Sequence, residues 1–387
     1  MTSINMQQCF VRNEQLKHYP KVSIDSIQSR YLLMISSTSN IYGKCLFVFI
    51  MFIINLVHCR ALLFISLDSM FSVKFGTFLF VLVVNVNPIL FYYRYNHKLV
   101  KQIENHWNGL QIDYDYETRK YFWTRKVIYR WLVYSSYILL YIFKYCYLIY
   151  TLSDQDTSKQ SIGNVIFPFL LLILALITIF IHFCHSCIHW DLSLLAQTAV
   201  QFNLIKLKKL LNESRKDQKS LNVDAIQSIR HKYLLICRLV YKIDEIMSPS
   251  LFAMFTHFLA YACNLSYSLI YNEENQLTKW YNVILTSFIL IISLVSTYVN
   301  VRIHEKSLES LAIVYKLSLR TDSIRILNEI LLFLNHNEIG FTFGGMFMLT
   351  LSSLSTLFSI LTTNLWEEIM LQILVNELSS LFFIQLI

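Results

Sequence analysis

Asn164–His185 reads NVIFPFLLLILALITIFIHFCH, without one charged side chain. At 1.5 Å per residue, a helix over this stretch rises roughly 33 Å, enough to cross about 30 Å of hydrocarbon. Its apolar residues form a continuous block rather than a stripe at helical or strand period, which points to lipid on the outside.

Working outward, blocks of the same kind cover Ile41–Cys59, Phe71–Tyr93, Val127–Tyr150, Ser248–Tyr271, Tyr281–Val301 and Phe341–Thr363. Seven blocks predict an all-α membrane protein whose transmembrane domain runs over 41–363. It is preceded by a polar tail, 1–40, and followed by a segment, 364–387. Composition agrees: charged residues are 15% of the 387 and apolar ones 55%, against about 25% charged in a soluble domain. Seven glycines and four prolines leave few turn clusters, and the short alternating segments of a lipid-spanning β-barrel are absent. The first twenty residues show no apolar core of a cleavable signal, so the first span is expected to act as the anchor. No pair of the eight cysteines falls in the outer loops of this layout, which argues against a disulfide framework.

Basic residues set the orientation. Twenty-six lysines and arginines fall in the N-terminal tail and in the long loops Arg94–Lys126, Ser186–Met247 and Arg302–Gly340. The short loops on the other side carry only Arg60, Lys159 and Lys279. The positive-inside rule puts the tail and long loops in the cytoplasm, and an odd number of spans then puts the C-terminus outside. The net charge of +8 is thus assigned to orientation and contact with membrane lipids, not to nucleic acid. Leu192–Leu211, Ile226–Ile246 and Ser307–Phe333 repeat apolar residues every three or four positions among charges. They predict cytoplasmic helices that extend spans four to seven into a bundle, with Leu311, Tyr315, Leu319, Ile326 and Leu331 marking the apolar positions of the last. Asn212–Asn222 is expected to be a turn.

In the seventh block Ser352, Ser355, Thr356, Ser359, Thr362 and Thr363 recur at three- and four-residue steps, hence on one helix face. Such a face either lines a water-filled path, since each hydroxyl donates and accepts, or packs closely against another helix. Tyr134, Tyr137, Tyr141, Phe252, Phe255 and Tyr261 either line an apolar ligand pocket with a few hydroxyl handles or serve packing and lipid contact. His182, Cys184, His185, Cys187 and His189 cluster at the end of the fourth block. Their spacing matches no recognised ligand set, so no metal is assigned. Phosphate loops, His-Glu-x-x-His and Gly-x-Ser-x-Gly are absent, and carboxylates are nearly lacking in the spans. An enzyme, a need for a cofactor and a proton-coupled pump are therefore disfavoured. The expected orientation is opposite to that of a G-protein-coupled receptor. Asn87-Pro88-Ile89-Leu90-Phe91 imitates that class's motif, but in the second block. A transporter would be expected to show internal repeats, and none is visible.

One segment carries a family resemblance. Asn328-Glu329-Ile330 through Phe333, then Phe341-Thr342-Phe343-Gly344-Gly345-Met346-Phe347, then Leu354–Thr363 resembles the C-terminal signature of insect gustatory receptors. That signature has a Phe-Thr-x-x-Gly-x-Phe stretch, here carried by Phe341, Thr342, Gly345 and Phe347. A Ser/Leu-rich helix follows, and then Thr-Tyr, five apolar residues and Gln-Phe, of which Thr363 supplies the Thr. The likeness elsewhere is one of layout: length, seven spans, N-terminus inside. It implies a chemosensory receptor acting as a ligand-gated, non-selective cation channel in the plasma membrane of sensory neurons. It further implies a small-molecule tastant as ligand and a homo- or hetero-tetramer with related receptors, span seven surrounding the pore. The sequence departs from the pattern after Thr363. Asn364 replaces the Tyr, and Leu365-Trp366-Glu367-Glu368-Ile369-Met370-Leu371 replaces the apolar run and Gln-Phe.

Overall fold

Four helices far longer than a bilayer is thick dominate the architecture. The structure, a computed structural model, describes residues 19–22, 41–63, 88–89, 91, 94, 97–153, 162–216, 222–271, 276–321, 323–335, 338–356, 359 and 363. Most of the expected second span, Thr362, and the segment 364–387 lie outside the described residues, as does the centre of the expected turn at Asn212–Asn222.

The elements are α1 (Ile41–Leu63), α2 (His97–Leu110), a 3₁₀ turn (Ile112–Tyr114), α3 (Tyr116–Ser153), α4 (Ile162–Lys216), α5 (Val223–Tyr271), α6 (Gln276–Ser318) and α7 (Ile324–Leu334). A two-stranded hairpin follows, β1 (Thr342–Phe343) and β2 (Phe347–Met348), and then helical residues 351–356. With 55 residues, α4 is roughly 80 Å long. It packs against α3, α5 and α6, while α2 and α7 close the bundle against α5.

The long helices have two unlike halves. In the apolar halves Ile138, Ile142, Ile173, Phe180, Ile284 and Ile291 are exposed. In the extensions Leu194, Leu195, Ala199, Ile236, Val240, Ile243 and Ile303 are wholly or almost wholly buried. The stretch Ile179–Ser214 is long and apolar enough by length and composition to cross a membrane, yet most of it is buried. An all-round apolar helix enclosed by three others reports the core of a bundle. Trp107 and Leu110 of α2, Phe122 of α3, Phe202 of α4, Tyr233 of α5 and Phe333 of α7 fill that core. Tyr233 and Phe333 stack with ring centroids 4.5 Å apart.

Helix starts follow local chemistry. The Asp115 carboxylate accepts from the Thr118 N–H (3.2 Å) at the head of α3, and Asn222 Oδ1 accepts from the Asp224 N–H (2.9 Å) at the head of α5. The expected helix over Ser307–Phe333 is broken by a turn between α6 and α7. Its buried face carries Ile313, Val314, Leu317, Ile326, Ile330 and Phe333, whereas Tyr315, Leu319 and Leu331 point outward. Within α6 the buried stripe runs through Ser310, Ile313, Val314 and Leu317, out of step with Leu311 and Tyr315, and the break then resets the helical phase for α7.

The seventh block also differs from expectation. Instead of starting a helix at Phe341, the chain forms the hairpin, pairing Thr342 with Met348 and Phe343 with Phe347. Gly344 (φ 61°) and Gly345 (φ 77°) make its turn in left-handed conformations that other residues adopt at a cost. The helix begins only after Thr350. Thr350 Oγ1 accepts from the Ser353 N–H (3.0 Å) and Ser353 Oγ from the Thr350 N–H (2.9 Å), a reciprocal cap.

Candidate functional site

The hairpin is fastened to α5 by its motif residues. The Thr342 N–H donates to Asp244 Oδ1 (2.8 Å), and the Thr342 hydroxyl donates to Asp244 Oδ2 (2.6 Å). The Gly344 N–H donates to the Ser248 carbonyl (3.1 Å). Burial raises the pKa of Asp244, and the two bonds from Thr342 oppose that rise. Phe341 is fully buried. Phe343 packs on Phe255 (centroids 5.1 Å apart) and on Phe347 (5.0 Å). A Cβ on Gly345 would meet nothing within 4 Å, so the left-handed backbone rather than crowding calls for glycine there. Every motif position therefore contributes physically: Phe341 anchors, Thr342 clamps, Gly345 turns, and Phe347 closes an aromatic ladder.

Beyond the hairpin, the described members of the hydroxyl face, Ser352, Ser355, Thr356, Ser359 and Thr363, are all exposed in the single chain. Leu354, off that face, packs toward the core.

The aromatic candidates separate into two places. Tyr134 and Tyr137 pack on Phe183 of α4 (centroids 5.5 and 5.4 Å away). Tyr137 OH lies 2.8 Å from Ser186 Oγ, and Tyr141 OH donates to the Leu176 carbonyl (3.3 Å). These three line the α3–α4 seam. Phe252 and Phe255 instead lie on α5 against the hairpin. The side chain of Tyr261 lies outside the described residues. A cavity of about 650 Å³ lined by Glu117, Tyr121, Gln201, Lys208 and Asn212 touches none of the six.

The histidine cluster takes part in hydrogen bonds between helices. His185 Nε2 lies 3.0 Å from Ser250 Oγ of α5, and Asn300 Nδ2 of α6 lies 3.3 Å from His189 Nε2. Ser193 Oγ donates to Asn300 Oδ1 (2.7 Å). Burial lowers the pKa of His189 to about 4, keeping it neutral. Among the described residues no group of three His, Cys, Asp or Glu is placed to hold a metal. Cys184 and Cys187 are buried and form no disulfide.

Nearby, Gln197 Oε1 accepts from Tyr129 OH (3.0 Å), and Lys306 Nζ donates to Tyr121 OH (2.6 Å). Burial, reinforced by the charges of Arg125 and Arg302, lowers the pKa of Lys306 to about 7. The motif reading missed Asp244, Asn300 and Lys306. Their signals in the sequence were the first acid of an Asp-Glu pair ahead of Ser-Pro-Ser, an amide closing an apolar block, and a lysine among four charges.

Residues 186–366 match the family model described as 7tm chemosensory receptor. No curated protein matches the chain in sequence. Two solved structures of the insect olfactory receptor OR5 from Machilis hrabei share its fold. The complex with eugenol aligns at TM-score 0.64 and 14% identity over 91% of this chain and 97% of that one. The other structure aligns at TM-score 0.65 and 12% identity, over 94% and 97%. At such identities the structural likeness speaks for the fold. Together with the family match over 186–366, it supports the resemblance to an insect chemoreceptor family related to the odorant receptors. Both the matched family and the matched structures are receptors, not enzymes.

Proposed function

We infer that this chain, which carries the chemosensory receptor signature over 186–366 and the olfactory receptor fold, is a multi-pass plasma-membrane receptor gated by a small molecule. Its mode of action is a cation channel built from several copies or relatives, with the helix after the hairpin lining a shared pore. The fastening of the Phe-Thr-x-x-Gly-x-Phe hairpin to α5 carries this reading. It holds the hydroxyl-bearing helix at a fixed point of the scaffold while Ser352, Ser355 and Ser359 stay exposed. Exposed apolar side chains along the apolar halves of α3, α4 and α6 support a lipid environment.

A cytoplasmic N-terminus has its own support. The Pro20 carbonyl accepts from Trp123 Nε1 (2.8 Å), and the Val22 N–H donates to Asp113 Oδ1 (3.1 Å). The tail and the basic loop before span three therefore share a side. Seven spans then put the C-terminus outside. The domain limits follow: 1–40 as cytoplasmic tail, 41–363 as channel, 364–387 as an outer segment.

The ligand proposed is a tastant, following the gustatory signature in the motif segment. Whole-cell current from cells expressing the chain, alone and with related receptors, tests this against sugars, bitter compounds and carbon dioxide, with eugenol added because the olfactory receptor binds it. A cation current evoked by a tastant is expected. Current evoked by eugenol alone would move the ligand class to odorants. Surface-expressed protein silent to every compound, with and without relatives, would overturn the channel reading.

A further inference from the structure

Pro249 lies inside α5. It has no N–H to give to the Glu245 carbonyl four residues earlier, a defect that ordinarily kinks a helix or is repaired from outside. Here it is repaired from outside. Arg94, just past the expected second span, donates from Nη1 to the Glu245 carbonyl (3.3 Å). The same turn receives three further attachments. Asp244 holds Thr342, the Ser248 carbonyl takes the Gly344 N–H, and Ser250 Oγ meets His185 Nε2 of α4. Phe91, three residues before Arg94, packs edge-on against His185 with centroids 4.8 Å apart. Four parts of the chain therefore meet at Asp244–Ser250: the end of the second span, α4, α5 and the hairpin that leads into the seventh span.

We propose that the break at Pro249 is a joint that couples the second and fourth spans to the seventh, and that Arg94 and Asp244 are positioning residues for gating. Arg94 seats the broken turn, and Asp244 passes its position to the hairpin. A helix with an unbroken ladder would resist bending at this point. A break with no external donor would leave a carbonyl unpaired and the turn loosely seated. A side-chain donor is an intermediate case, because the guanidinium can follow the carbonyl as the turn flexes. The gating role rests on the channel reading above, whereas the joint itself does not.

The test is a double-substitution cycle in the full chain: Arg94→Met, Pro249→Ala, and both together. Hydrogen–deuterium exchange over 338–350 reads the joint without any current. In the native background Arg94→Met should speed hairpin exchange by roughly tenfold, the loss of one charge-assisted hydrogen bond felt across the joint. Pro249→Ala supplies the missing N–H, so adding Arg94→Met to it should change nothing. Arg94→Lys, which keeps a donor, should restore most of the protection. In conducting cells Arg94→Met should shift the half-maximal ligand concentration with surface expression unchanged, and Pro249→Ala should lower the maximal current. Equal effects of Arg94→Met in both backgrounds would show that Arg94 does not serve that carbonyl, and unchanged hairpin exchange would show that the joint does not reach span seven. Altered exchange with an unaltered dose response in a conducting channel would remove the gating role. If the native chain carries no current, the channel reading fails and the exchange cycle alone decides the joint.

Discussion

Thr342 binds both carboxylate oxygens of Asp244, through its N–H at 2.8 Å and its hydroxyl at 2.6 Å. A hydrogen bond to a charged group is worth about 1.5–3 kcal/mol, and a half-buried carboxylate oxygen deprived of one incurs a comparable desolvation cost. Thr342→Val keeps the shape and the N–H bond but removes the hydroxyl. It should lower stability by about 2 kcal/mol, while Thr342→Ser stays near the native value. Thermal unfolding of the detergent-purified chain distinguishes them, and equal midpoints for Val and Ser would refute the clamp.

Asn300 ties α4 to α6 with its whole amide: Oδ1 to Ser193, Nδ2 to His189 and to the Ser296 carbonyl. Asn300→Leu fills a similar volume but leaves the buried His189 nitrogen without its donor. A loss of about 1–3 kcal/mol is expected. Ser193→Ala, which removes one bond but leaves His189 served, should cost less. The ranking of the two unfolding midpoints is the measurement, and the reverse order would count against the network.

Lys306 gives the helical bundle a pH dependence of definite sign. Burial, and then Arg125 and Arg302, bring its pKa from 10.5 down to about 7. Between these values the unfolded chain binds the proton and the folded one does not, so this group makes stability rise with pH across that window. The burden is fully present below about pH 7 and gone above about pH 10.5. Lys306→Met removes the titrating group. The change in midpoint between about pH 7 and about pH 10 should therefore shrink relative to the native chain. An unchanged difference would show that Lys306 does not titrate in this window.

Much of the fold was legible because long apolar blocks and the helices that extend them follow from composition and period alone. Ile236, Val240 and Ile243, all buried, sit where the three- and four-residue spacing of Ile226–Ile246 places them. The hairpin was not legible as structure. Phe341–Met348 is apolar enough to pass for the start of a span, and only the paired glycines hinted that its backbone leaves the helix. Asp244 and Arg94 were hidden for another reason. Each is one charge in a charge-rich loop, and only the fold reveals that one meets Thr342 and the other the carbonyl freed by Pro249. The tyrosine and phenylalanine candidates looked like one set because the sequence does not say which helices adjoin. Tyr137 belongs to the α3–α4 seam and Phe255 to the hairpin.

Orientation has a chemical test at Asn212-Glu213-Ser214, a glycosylation sequon near the end of α4 with Asn212 exposed. In the proposed topology it faces the cytoplasm, beyond the lumenal transferase. The protein should carry no glycan there. A glycosidase-sensitive mass shift abolished by Asn212→Gln would reverse the topology.

The pore assignment in the seventh span can be separated from packing by size and reactivity. Ser355 and Ser359 are one helical turn apart on the exposed hydroxyl face, and Leu354 turns toward the core. A pore position contacts water and passing ions, so Ser359→Cys should let a charged thiol reagent change the current. Leu354→Cys, packed against the scaffold, should leave it unaffected. Ser355→Phe should block conduction with normal surface expression, because a water-filled path accepts bulk without straining a core. If the face instead packs against another helix, the same substitution overfills a close contact at a cost of about 1–3 kcal/mol and lowers expression. In a conducting chain, an unreactive Ser359→Cys together with normal current in Ser355→Phe would refute the pore assignment.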